Sequence, residues 1–359
     1  MNLSLYKYSN IGYYTAFTRL FVEQAKKYPD KRIGIIDWWF IHTTDKLESD
    51  YINQQEANDL KEFLEAQDVC FLISEETLGK ELYPNLGTII DLLNQHNVHY
   101  LLFAGESIHG PGEIPLENTL SLPWFAKSVL HKPEGFKADI EYTVKQYTFN
   151  LLLGKKKYYR TMMYNLSKDN KNIYYSYLGH PKYKRDLKEN LDSEQIQKEL
   201  TSQDVYTNNL DTMIDIPDQG IISHIIPQDI YANTHFDIVS ETQIIPFNKF
   251  TTEKTAKPLA TGRFFLWYNS FSIKNYLEKF GFGFDGYLLH NYDDITDDLA
   301  RMNALFELVS EISASKHLVK DIYTKTKQSR LWNMTNYNNL MGLTDERVLS
   351  WIEYSINKD

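Results

Sequence analysis

A chain of 359 residues with 42% hydrophobic content is too long for one ordinary core, and its length predicts two domains of about 150 to 200 residues each. Acidic residues outnumber basic ones, 48 to 38, which argues against a surface that follows a nucleic-acid backbone throughout and leaves room for a local basic groove alone. The single cysteine, Cys70, excludes an internal disulfide, and its apolar setting DVCFLIS (68–74) predicts a buried thiol in a chain built for a reducing compartment. The first thirty residues carry Lys7, Arg19 and Glu23 without an unbroken apolar core, and no run of 18 apolar residues appears anywhere. Neither a secretion signal nor a membrane span is therefore expected, and the expected location is cytoplasmic.

In chain order, the amphipathic pattern of NIGYYTAFTRLFVEQAKKYP (10–29) predicts a first helix. Short apolar runs then alternate with amphipathic stretches. RIGIIDWWF (32–40), DVCFLIS (68–74) and VHYLLFAGES (98–107) read as strands, and ANDLKEFLEAQ (57–67) and LGTIIDLLNQHN (86–97) as the helices between them. Such alternation predicts parallel pairing through right-handed crossovers. A loop rich in Pro and Gly (109–123) separates this series from a second one, YTFNLLLG (147–154), RTMMYNLSKD (160–169) and NIYYSYLG (172–179). After a polar stretch from 181 to about 220 come FDIVSET (236–242), a short helix ending at Gly262, the strand RFFLWYN (263–269) and the helix SIKNYLEKFG (272–281). Helix is expected from 293 to the end. In open parallel sheets ligands bind beyond the carboxyl ends of the strands, which directs attention to the residues following 73, 104, 239 and 268.

The short helix has a distinctive mouth, FTTEKTAKPLATG (250–262). A helix starting near Thr252 presents unpartnered N–H groups and a partial positive charge, both of which attract phosphate, and Lys254 adds a full charge. Glu253 would repel that phosphate unless it turned toward hydroxyl donors such as those of a ribose. The same residues also fit a surface pair, since Glu253 and Lys257 are four apart with the acid first, worth about 0.3 kcal/mol.

The whole run FDIVSET…FTTEKTAKPLATGRFFLWYNSFSIKNYLEKFGF…NYDDITDDLARM (236–302), with FNLLLGKKKYYRTMMYNLSKDNKNIYYSYLG (149–179) upstream, resembles the α1,3-fucosyltransferase-like glycosyltransferases and their bacteriophage and large DNA virus relatives. The resemblance implies an α/β fold of the GT-B kind, two Rossmann-like domains with parallel sheets facing a central cleft. Residues 1–135 would form the acceptor side, 140–340 the nucleotide-sugar side, and 341–359 a helix returning to the first domain. It implies a glycosyltransferase, inverting in mechanism, that moves a sugar from a nucleotide-sugar donor to an acceptor hydroxyl, with no further cofactor and no metal. The acceptor would be a glycan or, in a phage-type setting, a hydroxylated DNA base, and the protein would then work in the host cytoplasm. Carried over by position, Glu253 holds the donor ribose, while Lys254 and Arg160 hold the diphosphate. Thr252 belongs to the same donor group, and Glu241 is a sugar or ribose contact or else a helix-capping acid.

Inversion requires a base for the acceptor hydroxyl. The resemblance implies Glu106, in Ala104-Gly105-Glu106-Ser107, where only the Gly-Glu core of the family's pattern is retained. Asp37 and Glu75, each closing a predicted strand, are the alternative bases. Two other functional classes stand beside this reading. One is a nucleotide- or glycan-binding protein without turnover. The other is a serine hydrolase using Ser107 in GESIHG (105–110), which His109 disfavours because a nucleophile elbow needs glycine there. Asp293, Asp294, Asp297 and Asp298 are expected to open a helix rather than bind a metal, and His96 and His99 lack a third ligand for zinc.

Overall fold

The computed structural model describes residues 3–6, 15–37, 54–74, 87–102, 118–122, 130, 135–153, 157–177, 226–241, 244, 249, 251–289 and 292–358. The chain is α/β, with two parallel sheets in two compact units. The first unit comprises residues 1–127, 247–251 and 339–359, and the second comprises 128–246 and 252–338.

The first unit contains β1 (Leu3–Tyr6), α1 (Thr15–Lys27), β2 (Ile33–Asp37), α2 (Gln54–Glu65), β3 (Val69–Ser74), α3 (Gly87–Gln95), β4 (His99–Leu102) and β5 (Thr119–Ser121). Its five strands pair in parallel in the order β1-β2-β3-β4-β5. The period-2 alternation of each strand divides its side chains between two faces. On one face Ile33, Ile35, Phe71, Ile73 and Leu101 meet Leu20 and Phe21 of α1, together with Val348, Ile352 and Ile356 near the carboxyl terminus. On the other face Ile36, Cys70, Leu72, Tyr100 and Leu102 meet Leu60 and Leu64 of α2 and Leu93 of α3. The Cys70 thiol is buried as expected, and burial pushes it up to about 12. His99 is likewise a core residue, its ring tilted against that of Phe71 at 5.6 Å, and burial, aided by Lys358, lowers its imidazole to about 4.

Parallel pairing agrees with the sequence. The steps β1 to β2 and β2 to β3 run in the same direction across the sheet, while α1 covers one face and α2 the other. The step β3 to β4 continues in that direction with α3 on the same face as α2, so the two crossovers expected from the sequence share one hand. The core on the α1 face is closed by Val348, Ile352 and Ile356.

The second unit contains β6 (Tyr147–Leu153), α4 (Tyr158–Ser167), β7 (Ile173–Tyr177), α5 (Gln228–Asn233), β8 (Thr234–Ser240), α6 (Glu253–Thr261), β9 (Phe265–Tyr268), α7 (Ile273–Glu278) and α8 (Asp298–Ala314). The long helix α9 (Lys316–Asn357) gives residues 316–338 to this unit and 339–357 to the first. Strand order is β7-β6-β8-β9, all parallel. Chain direction therefore reverses between β6 and β8, which creates a switch point where the helices on either side diverge and leave a crevice at the carboxyl ends.

At the amino ends of the same strands lies a buried ionic network. Arg263 is fully buried, donates to Asp237 at 2.8 Å and to Asp139 at 2.6 Å, and stacks 4.0 Å over the ring of Tyr231. Lys145 shares Asp139 at 2.7 Å, and Asn150 donates to Asp237. The buried Asp237 carboxylate of the central strand β8 is thus satisfied, as burial demands. Gly286, at φ +78°, packs against the backbone of α9, where an added Cβ would lie 2.6 Å from the carbonyl oxygen of Lys325. Gly286→Ala is expected to lower the unfolding free energy by about 1–3 kcal/mol through the left-handed backbone and the clash. A denaturant titration with an unchanged slope and a lower midpoint measures it.

Candidate functional site

The switch point is where sequence and structure meet. From β6 the chain passes to the start of α4, which carries Tyr159 and Arg160. From β8 it passes to Glu241, and α6 begins beyond at Thr252. Arg160, 2% exposed, donates from Nη2 to the Glu241 carbonyl at 3.1 Å, and the Tyr159 hydroxyl donates to the same oxygen at 2.8 Å. The carboxylate of Glu241 reaches the other way. It accepts from the Thr252 backbone N–H at 3.0 Å and from the Thr252 hydroxyl at 2.6 Å, and also from the Thr255 hydroxyl. Glu241 therefore ties the mouths of α4 and α6 to the end of β8.

Thr252 is the N-cap of α6. It is extended at φ −119°, and its side chain accepts from the Lys254 N–H, the arrangement its residue type favours. At the other end Gly262 adopts φ +67° and terminates the helix in the left-handed conformation, a conformation glycine takes without cost. Between these caps, the Glu253 carboxylate stands 2.7 Å from the Lys254 ammonium, with the two side chains 10% and 25% exposed. Burial pushes the Glu253 carboxyl up, but the Lys254 charge and hydrogen bond outweigh it and hold the group below its usual value. One turn on, burial lowers the Lys257 amine to about 8 against the attraction of Glu253.

Arg160, Glu241, Thr252, Glu253 and Lys254 thus gather at the carboxyl edge of one sheet. Two details differ from the expectation, and a third falls on one of its alternatives. The Thr252 N–H of the α6 mouth is already engaged by the buried carboxylate of Glu241. The Glu241 carboxylate, 0% exposed, accepts from Thr252 and Thr255, an arrangement of the helix-capping alternative. Glu253 faces Lys254, with no i,i+4 ion pair to Lys257 among the described residues. Tyr159 and Thr255 were missing from the sequence reading, although the three-residue spacing of Thr252 and Thr255 places both hydroxyls on one side of the helix start.

The acidic group divides. Asp297 caps α8, accepting from the Ala300 N–H at 2.7 Å, and Asp298 pairs with Arg301. Asp293 serves a different helix, accepting from the Lys274 N–H of α7 and from the Trp267 indole, both at 2.9 Å. Among the described residues no three His, Cys, Asp or Glu side chains come together as a metal site, and no helix is long and apolar enough to cross a membrane. Glu106, Glu75 and Ser107 lie outside the described residues, as do Lys155, Lys156 and His109. Asp37 is the last residue of β2, in register with Ile73. No family model matches the chain, and no curated protein matches it.

Proposed function

We propose that the second unit binds the nucleoside diphosphate of a nucleotide sugar, and that the protein is a glycosyltransferase of the GT-B kind passing that sugar to an acceptor hydroxyl. The observation that supports this most is the convergence of Arg160, Glu253 and Lys254 at the carboxyl ends of β6 and β8, on either side of a strand switch point. A planar guanidinium and a compact ammonium are suited to a diphosphate whose charge grows as the sugar departs. A carboxylate beside them is suited to the paired hydroxyls of a ribose. In this reading Glu106 is the base for an inverting transfer, with Asp37 and Glu75 as alternatives. The acceptor is a glycan or a hydroxylated DNA base, which would have to be flipped out of its duplex.

A melting screen against UDP-, GDP-, CMP- and TDP-sugars tests the donor. One class is expected to raise the melting temperature, because a ligand at a hundred times its Kd adds about 2.7 kcal/mol of stability. Melting curves that do not move for any nucleotide sugar at millimolar concentration would remove the reading.

A further inference from the structure

We infer that residues 339–357 of α9 are held on the sheet of the first unit by a clasp that acid opens, in which the imidazole of His99 must stay neutral for the helix to remain seated. His99 begins β4 and shares a face with Leu101, the face that α1 and the end of α9 cover. Its ring lies 5.6 Å from that of Phe71 on β3 and 6.2 Å from that of Trp351 on α9, edge-on to the indole. Phe71 and Trp351 meet each other at 5.3 Å, so the three rings join helix to sheet. His99 is buried, and its Nδ1 has no hydrogen-bond partner among the described residues.

An imidazolium in this position would carry a buried N–H without an acceptor, and a charge without a counter-charge, both of which burial penalises. The neighbouring strands β3 and β5 carry no charged residue. Of the charged residues on α1 and this part of α9, Glu23, Lys26, Lys27, Glu346, Arg347 and Glu353 are exposed and Asp345 is half-buried. The charge that does act on the ring is the Lys358 ammonium, just past the end of α9, and it repels a second cation. Burial and Lys358 together lower the seated imidazole to about 4, whereas a freed histidine returns to about 6.5. The freed state therefore binds a proton that the seated state refuses, and the ratio of freed to seated rises about tenfold for each pH unit lost between those values.

Little else fastens this part of the helix apart from its apolar face. Its polar ties, Glu353 and Asn357 to the Tyr28 hydroxyl and Lys358 to Asn118, are exposed, where water competes for them. The 316–338 stretch is held differently. It too meets a buried imidazole, that of His235, stacked on Tyr142, edge-on to Tyr323 and surrounded by Lys145, Asp139 and Arg263. There, however, the buried Arg330 donates to the carbonyl oxygens of Asp139, Ile140 and Gly262, bonds that do not titrate in this range. Acid is thus expected to free the carboxyl end of α9 first and to uncover Leu20, Phe21 and Phe71.

Hydrogen exchange of the full chain between pH 7 and pH 4, read by mass spectrometry and corrected for the intrinsic rate, tests this in wild type, His99→Phe, His99→Gln and Lys358→Gln. In wild type, protection of peptides within 345–357 is expected to fall about tenfold per pH unit below about 6.5, while peptides of β6 and β8 keep theirs. His99→Phe keeps a ring without a titrating group and is expected to abolish most of that slope, and His99→Gln does the same should the phenylalanine pack poorly. Lys358→Gln is expected to fall less steeply than wild type. A slope in the histidine variants equal to that of wild type would show that His99 is not the clasp. Loss of protection in β6 and β8 together with 345–357 would show that acid unfolds the protein as a whole, which also overturns it.

Discussion

Alanine at Arg160 or at Lys254 is expected to slow sugar transfer by about a hundred- to a thousand-fold, the effect of removing one fixed donor worth about 2.7–4 kcal/mol from a developing charge. The two losses should differ in kind. Lys254 is a partly exposed side chain of the first turn of α6 that pairs with Glu253, so its removal should lower the melting temperature modestly. Arg160 is buried and also donates to the Glu241 carbonyl, so its alanine variant should melt earlier as well. Arg160→Lys separates the two roles, because an ammonium restores a positive charge but not the planar fork. Initial rates of transfer, read beside melting curves, measure all three. Rates equal to wild type in the Lys254 and Arg160 alanine variants would show that neither cation serves the leaving group.

Arg263→Met is expected to lower the unfolding free energy of the second unit by about 3–5 kcal/mol, the usual consequence of removing one partner from a buried ion pair. The methionine approximates the volume of the arginine stem but leaves Asp237 with Asn150 alone and Asp139 with Lys145 and the Tyr323 hydroxyl. A double change that also replaces Asp237 by leucine should recover part of the loss, since no carboxylate would then be stranded in the strand. Urea unfolding of the single and double variants gives the coupling. A single variant as stable as wild type would mean that the network adds nothing to folding.

The two cases show how legibility varied along the chain. Most helices and strands could be read because their side chains repeat with the period of the element, as in VCFLIS of β3 or YTFNLLL of β6. The pieces that went unread are β1, β5 and α5, of four, three and six residues. These are too short to display a period, and they form because a neighbouring strand or helix accepts them. β5, moreover, lies inside a stretch whose prolines and glycines read as loop.

At the site, the Thr-Glu-Lys start of α6 was visible from capping chemistry and the helix dipole. The partner of each charge was not. Glu241 and Thr252 are eleven residues apart in sequence and are brought together by the path from β8 to α6, which no local pattern encodes. Asp237 within a strand and Arg263 just before the next would each suggest an exposed face. Their mutual pairing across adjacent strands reverses that inference.

The contribution of Val348, Ile352 and Ile356 to the core around Phe21 and Phe71 has a consequence for how the polypeptide is made. On a ribosome, domains ordinarily mature from the amino terminus onward. Here the segment of α1 waits for residues more than 300 positions later before its apolar face is covered, and loops of that span close slowly. That segment therefore keeps an open hydrophobic surface while the intervening residues are made, and a chaperone would meet it there.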